Sequence, residues 1–382
     1  MMKRRLLTPG PTMLPDAVYR AMGTPFPHHR TEEFRAAMRG VLALLREFHQ
    51  TSWPIVPLTA SGTGALETAV INLVSPGESA VVVRGGKFGE RWGEICEAWG
   101  IRYTPVDVEW GKSVDPAVVE AAFGRTPGAR ALFATHSETS TGALHDVEAL
   151  ASIAGKHGVL FVVDAITSIL VHDLPVERWN IDVVVSGSQK AFMVPPGMAF
   201  LSVSPRALEA ARRSTSPRYY FHLAKAVDAL AKDDTPWTTA ISLVLGLAES
   251  LALVKKEGGV EGSVRRHARA ARAVRAAMEA LGLTLFAERP SNALTACYAP
   301  AGIETGALVK KLDMDFGVRF AGGQGHVKGK IFRFGHMGYF DDLDLLGTVH
   351  ALERTLEAMG HPVARGAGLR AMQDALWQGP ER

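Results

Sequence analysis

Four groups along the chain have the residue types and the setting to do chemistry. Lys190 follows the β-branched run Val183-Val184-Val185 through Ser186-Gly187-Ser188-Gln189, ahead of the rigid Pro195-Pro196-Gly197 turn. A lysine there is ordinarily a solvated strand end; held in a site, its amine is a nucleophile and a base. Asp164 directly follows the apolar run "VLFVV" (159–163), where an acid either caps a helix or faces a ligand. "TASGTGALE" (59–67) sets small residues before a helix, whose free amides and positive dipole end suit a phosphate. It is neither a dinucleotide fingerprint, because Glu67 occupies the third glycine position, nor a Walker loop, because no Gly-Lys-Ser/Thr follows. Phe88, after the strand-like "VVVRGG", is by default a core or rim aromatic.

A phosphate cradle, a lysine that can bond a carbonyl, an acid to keep a ring nitrogen protonated and an aromatic to lie on the ring are together what pyridoxal 5'-phosphate requires. In the order loop, aromatic, Asp, Lys the chain resembles the class V aminotransferases of fold type I, specifically the alanine–glyoxylate and serine–glyoxylate/pyruvate group. The resembling stretches are "LLTPGPT" (6–12), "SGTGALE" (61–67), "GGKFGERW" (85–92), "THSETSTG" (135–142), "VVDAITS" (162–168), "SGSQKA" (186–191), "DTPWT" (234–238) and "GGQGHVKGKIFRFGHMG" (322–338). They are spread over nearly the whole chain.

The resemblance implies roles residue by residue. Lys190 is the lysine that bonds the cofactor and moves the substrate proton, and Asp164 the partner of the pyridine nitrogen. Gln189 and the Ser61-Gly62-Thr63 backbone hold the phosphate, Ile166 belongs to the cofactor pocket, and Thr139 sits by the ring hydroxyl. Phe88 is the stacking residue, with Trp92 its nearby competitor. Thr235 matches a threonine that reaches the phosphate of a neighbouring subunit, which implies a homodimer with shared sites. Arg333 forks onto the substrate α-carboxylate, helped by the Gly10 amide; on its own it reads equally as an edge-strand surface arginine. The implied reaction moves an amino group from alanine or serine to glyoxylate or pyruvate by a ping-pong mechanism. Arg30, with His28 and His29 in "PFPHHRTEEF" (25–34), is a solvated turn or a reader of a second anion. In the latter case aspartate or 2-aminoethylphosphonate becomes a donor.

The elements that must position these residues alternate. Short apolar strands and helices of about ten residues follow one another to about residue 250, the signature of an α/β sheet with helices on both faces. The expectation is a mostly parallel seven-stranded sheet sandwiched by helices, followed by a smaller α+β domain. The boundaries are an amino-terminal arm over 1–20, a large cofactor-binding domain over 21–250 and a small domain over 251–382. A long helix is read over 235–259, and the arginines of "SVRRHARAARAVRAAMEAL" (263–281) as its successor's solvated face.

Composition narrows the function classes. The 382 residues carry a net charge of +3, too mild to argue for nucleic acid. Cys96 and Cys297 are the only cysteines and lack metal-ligand spacing, which fits a reducing cytosol, and no metal site is expected. "MMKRRLLTPGPT" has no apolar secretory core, and no apolar run is long enough to span a bilayer. A cytoplasmic protein is expected. A cysteine desulfurase would need a nucleophilic cysteine on a mobile loop, whereas Cys297 in "ALTACYAP" reads as a strand residue. A non-catalytic cofactor-binding protein would have no reason to keep Arg333 together with Lys190.

Overall fold

The computed structural model describes residues 3–378. Its main sheet has seven strands: β1 (Ile55–Leu58), β2 (Ser79–Arg84), β3 (Arg102–Asp107), β4 (Ala131–Thr135), β5 (Leu160–Asp164), β6 (Val183–Gly187) and β7 (Ala199–Val203). Their spatial order is β1-β7-β6-β5-β4-β2-β3. Only β7 runs against its neighbours, pairing antiparallel with both β1 and β6, so the other six strands point the same way. The expected mostly parallel sheet is present.

Strands buried on both faces cannot alternate apolar with polar residues, which is why β2, β5 and β6 read as continuous valine-rich runs. Every residue of β4, β5, β6 and β7 is buried. One face packs Leu66, Trp92, Phe133 and Leu201; the other packs Leu45, Phe48, Phe161 and Phe200. The flanking helices start on side-chain caps, as at Thr31, Asp146 and Ser204, each accepting from an amide three residues on.

A second, three-stranded antiparallel sheet joins Leu294–Tyr298, Ala321–Gly322 and Ile331–Gly335, with the last strand central. The amino-terminal arm is tied to it. Arg5–Leu6 pairs parallel with Val318–Arg319, and the Gly335 amide donates to the Leu7 carbonyl at 2.7 Å. The arm then runs to the main sheet, where the Thr12 hydroxyl donates to the Lys190 carbonyl at 3.0 Å.

Two sequence expectations change. The helix read over 235–259 spans Ile241–Lys256. Residues 235–240 are turn and coil, with Pro236 among them and the Thr235 hydroxyl bonded to the Trp237 carbonyl at 2.8 Å. The arginines of the helix Gly259–Ala280 are not all solvated. Arg266 pairs with Glu257 and donates to the Gly338 carbonyl. Arg269 forks onto Asp342, and Arg275 donates to the Ser291 carbonyl and the Asn292 side chain. Arg265 and Arg272 face solvent as read.

Candidate active site

In an open α/β sheet ligands gather beyond the carboxyl ends of the strands. There the structure has a cavity of about 240 Å³ lined by residues from five strand ends. Ser61, Gly62 and Thr63 follow β1, and Phe88 and Arg91 follow β2. Thr139 follows β4, Asp164 closes β5 with Ile166 and Thr167 beyond it, and Gln189 and Lys190 follow β6. Gly10 and Pro11 of the arm complete the wall together with Pro196.

Lys190 and Asp164 are buried. Burial pulls the Lys190 amine down to about 8; the Asp164 carboxylate opposes that shift and Arg333 adds to it. Burial pushes the Asp164 carboxyl up to about 7, offset by the Ile166 amide it accepts at 2.9 Å and by the charges of Lys190 and Arg91. The Lys190 amine donates to the Pro9 carbonyl. Gly10 has φ +115°, and a Cβ there would lie 2.5 Å from the Lys190 side chain, so the arm closes on the lysine only through a glycine.

The neighbouring groups are held by a turn. Glu138 is fully buried and accepts from the amides of Phe88 (3.1 Å), Gly89 (2.9 Å) and Ser140 (3.0 Å) and from the Ser140 hydroxyl (2.6 Å). It thereby fixes the start of the helix Lys87–Ala98 and the Phe88 ring that lines the cavity. The Thr139 hydroxyl meets Thr167 at 2.6 Å, and the Thr139 carbonyl accepts from Arg333 Nη1 at 2.8 Å. Arg333, buried behind Thr139, also donates to the Gly322 carbonyl from Nε (3.0 Å) and Nη2 (2.7 Å), and to Gln324 Oε1 at 3.4 Å. Burial lowers its guanidinium to about 10, and Glu138 works against that.

The structure thus gathers Gly10, Ser61, Gly62, Thr63, Phe88, Thr139, Asp164, Ile166, Gln189 and Lys190 around one cavity. Trp92 does not compete with Phe88: it is fully buried and stacks on Phe133 in the core. Within one chain, Arg333, Thr235 and Arg30 do not line this cavity; Arg333 adjoins it through the Thr139 carbonyl. Thr235 lies in a separate cleft with Tyr220 and Trp237, and Arg30 forms an ion pair with the adjoining Asp234 at 2.5 Å. Cys297 is a buried strand residue whose thiol burial pushes up to about 12, the opposite of a reactive cysteine. Sequence reasoning missed Pro11, Arg91, Thr167 and Pro196. Arg91 was within reach, because it stands three residues after Phe88 on one helix and shares its face.

Comparison with known proteins places this arrangement in a family. The model of the class V aminotransferases matches residues 6–334, and the chain belongs to that family. It is 41% identical over 98% of its length to a protein of Synechococcus sp. named soluble hydrogenase, small subunit, 98% of which is covered. It is 34% identical over 97% of its length to L-aspartate–glyoxylate aminotransferase of Paracoccus denitrificans, covering 95% of that protein. The crystal structure of ureidoglycine–glyoxylate aminotransferase from Bacillus subtilis superposes with a TM-score of 0.92 at 28% identity, over 98% of both chains.

The cofactor is therefore pyridoxal 5'-phosphate, and the residues present fit it. Gln189 Oε1 is buried with no hydrogen-bond partner among the described residues, so the cavity wall holds an acceptor left for a donor that a bound group brings, while a phosphate would be served by the NH2 of the same side chain. An acid, a depressed lysine and a helix start with free amides converge on the same space.

Proposed function

We propose that this aminotransferase moves the amino group of a small donor, alanine or serine, to glyoxylate or pyruvate in two half-reactions. The observation that carries the donor class is the Arg30–Asp234 ion pair, which engages the arginine of the 25–34 segment and leaves it unused as a reader of a second substrate anion. The site roles in this reading are as follows. Bound pyridoxal phosphate supplies a carbonyl that bonds an amine and a ring that withdraws electrons from the donor's Cα. Lys190 takes the Cα proton on its amine and delivers it again, a task for which a depressed basicity suits it. Asp164 holds a proton at the pyridine nitrogen, Phe88 packs on the ring, and Thr139 bonds the ring hydroxyl. The Gln189 side chain and the amides of Ser61-Gly62-Thr63 hold the phosphate. Arg333, assisted by the Gly10 amide, fixes the α-carboxylate, with Gln324 as the weakly bonded partner that a carboxylate displaces.

The test is a panel of alanine, serine, aspartate and 2-aminoethylphosphonate against glyoxylate, pyruvate and 2-oxoglutarate, with borohydride trapping to locate the cofactor. Turnover confined to the small uncharged donors and a label on Lys190 are expected. A preference for aspartate or the phosphonate would overturn the donor assignment. Hydrogen uptake without transamination would overturn the whole reading.

A further inference from the structure

The groups assigned to the cofactor's phosphate are all neutral: three amides at a helix start, the Gln189 side chain and, in the proposed dimer, a Thr235 hydroxyl. A phosphate monoester carries a charge of about −1.5 to −2 near neutrality, so a fixed cation beside it is an electrostatic need that the assignment leaves unmet. The nearby cations are mostly committed. Arg333 is tied to Gly322, Thr139 and Gln324, Lys87 pairs with Glu90, and Arg30 pairs with Asp234. Lys190 loses its charge in use.

Arg91 is the exception. Arg91 lines the cavity, and its guanidinium donates from Nη1 to the Thr63 hydroxyl at 3.2 Å, at the helix start that forms the cradle. Its Cζ lies 4.7 Å from the centre of the Phe88 ring. Its hydrogen-bond partner among the described residues is the Thr63 hydroxyl and not a carboxylate. The Phe88 ring face holds the cation beside it, and the Thr63 contact uses one of its five N–H groups, leaving donors for an anion.

We propose that Arg91 is the cationic holder of the cofactor's phosphate, acting with Thr63 and the helix start. This rests on the aminotransferase reading of the site. The chemistry is recognition of an anion by a planar guanidinium, and the other source of such an anion in this cavity is the distal carboxylate of a dicarboxylic donor.

The experiment compares the apo protein with its Arg91→Met and Arg91→Lys variants. Binding of pyridoxal 5'-phosphate and of phosphate-free pyridoxal is titrated by absorbance, and kcat/KM is measured for alanine and for aspartate. Arg91→Met is expected to weaken pyridoxal 5'-phosphate on the order of ten- to a hundredfold, the range for a lost charged hydrogen bond, and to leave pyridoxal unchanged. Arg91→Lys keeps the charge without the fork and should recover part of the loss, which also covers the case in which the methionine variant does not fold. Equal weakening of both ligands would make Arg91 a support for Phe88 and overturn the proposal. Unchanged cofactor binding with a loss confined to aspartate would reassign the guanidinium to the donor. If the unaltered protein takes up neither ligand, the aminotransferase reading fails, independently of Arg91.

Discussion

At the scale of single residues, Lys190 and Arg333 make separable predictions. Bonding to a carbonyl needs the uncharged amine, and burial brings the Lys190 amine down from its ordinary 10.5 to about 8. The rate at which apo protein takes up pyridoxal phosphate into a borohydride-fixed form should therefore rise with pH through about 8 and then level off. A rate still climbing in the range of an ordinary lysine would place the reacting amine elsewhere. For Arg333 the expectation is geometric. A bidentate guanidinium sets both the position and the rotation of a donor's α-carboxylate, and an ammonium sets neither. Arg333→Lys should keep cofactor binding and lose kcat/KM with every donor alike. Arg333→Ala should lose on the order of a hundredfold or more, matching the roughly 2–5 kcal/mol of a truncated charged contact. Near-normal turnover of alanine and serine by Arg333→Ala would show that the carboxylate is held by other groups. Arg30→Ala, with its partner Asp234 outside the cavity, should leave alanine and serine turnover unchanged.

At the scale of elements, the strand-end residues were readable in the sequence because a buried parallel strand announces its end. Unbroken valines stop at Asp164 and before Lys190, and β5 and β6 do end at Asp164 and Gly187. The turn after β4 was only partly readable. Its family match was visible, yet nothing in the local pattern says that Glu138 folds back onto the Phe88 and Gly89 amides, a long-range pairing. Equally unreadable was the histidine-rich seam where that turn meets the segment leading into the small sheet. There His172 Nε2 accepts from the Asn292 amide at 3.0 Å and meets the Ser291 hydroxyl, which also bonds Ser137. His145 Nδ1 accepts from the Val114 amide at 3.0 Å. Burial first, then nearby arginines, pull both imidazoles from 6.5 to about 4. A group with a depressed folded value binds its proton more readily when unfolded, so folding stability is lost as pH falls from about 6.5 towards 4. Thermal midpoints across that window should fall steeply for the unaltered apo protein. His172→Gln should melt with a shallower pH dependence, even if its midpoint near neutrality is lower. An unchanged slope would mean that His172 is charged in the folded state or titrates alike in both states.

At the scale of the whole molecule, the site is unevenly enclosed by one chain. Asp164 and Lys190 are buried, whereas Ser61 and Thr63 of the cradle are exposed. Tyr219 and Tyr220, beside Trp237 in the segment that carries Thr235, leave 75% and 41% of their surfaces in water. Large exposed aromatics grouped next to a polar residue with a proposed role suit a contact between copies. The proposed assembly is a homodimer in which Thr235 of each chain bonds the phosphate held by the other. This requires complementation. Thr235→Ala should weaken cofactor binding by roughly ten- to a hundredfold, the loss of one hydrogen bond to a charged group. Lys190→Ala should have no turnover. When the two variants are unfolded and refolded together, random pairing makes half the dimers mixed. Each mixed dimer carries one site with both Lys190 and Thr235 intact, so about a quarter of all sites regain full affinity. Activity at limiting cofactor should then exceed that of the Thr235→Ala protein alone. Thr235 acting on its own chain's site would leave every site in the mixture defective, and the mixture would show only the diluted activity of Thr235→Ala.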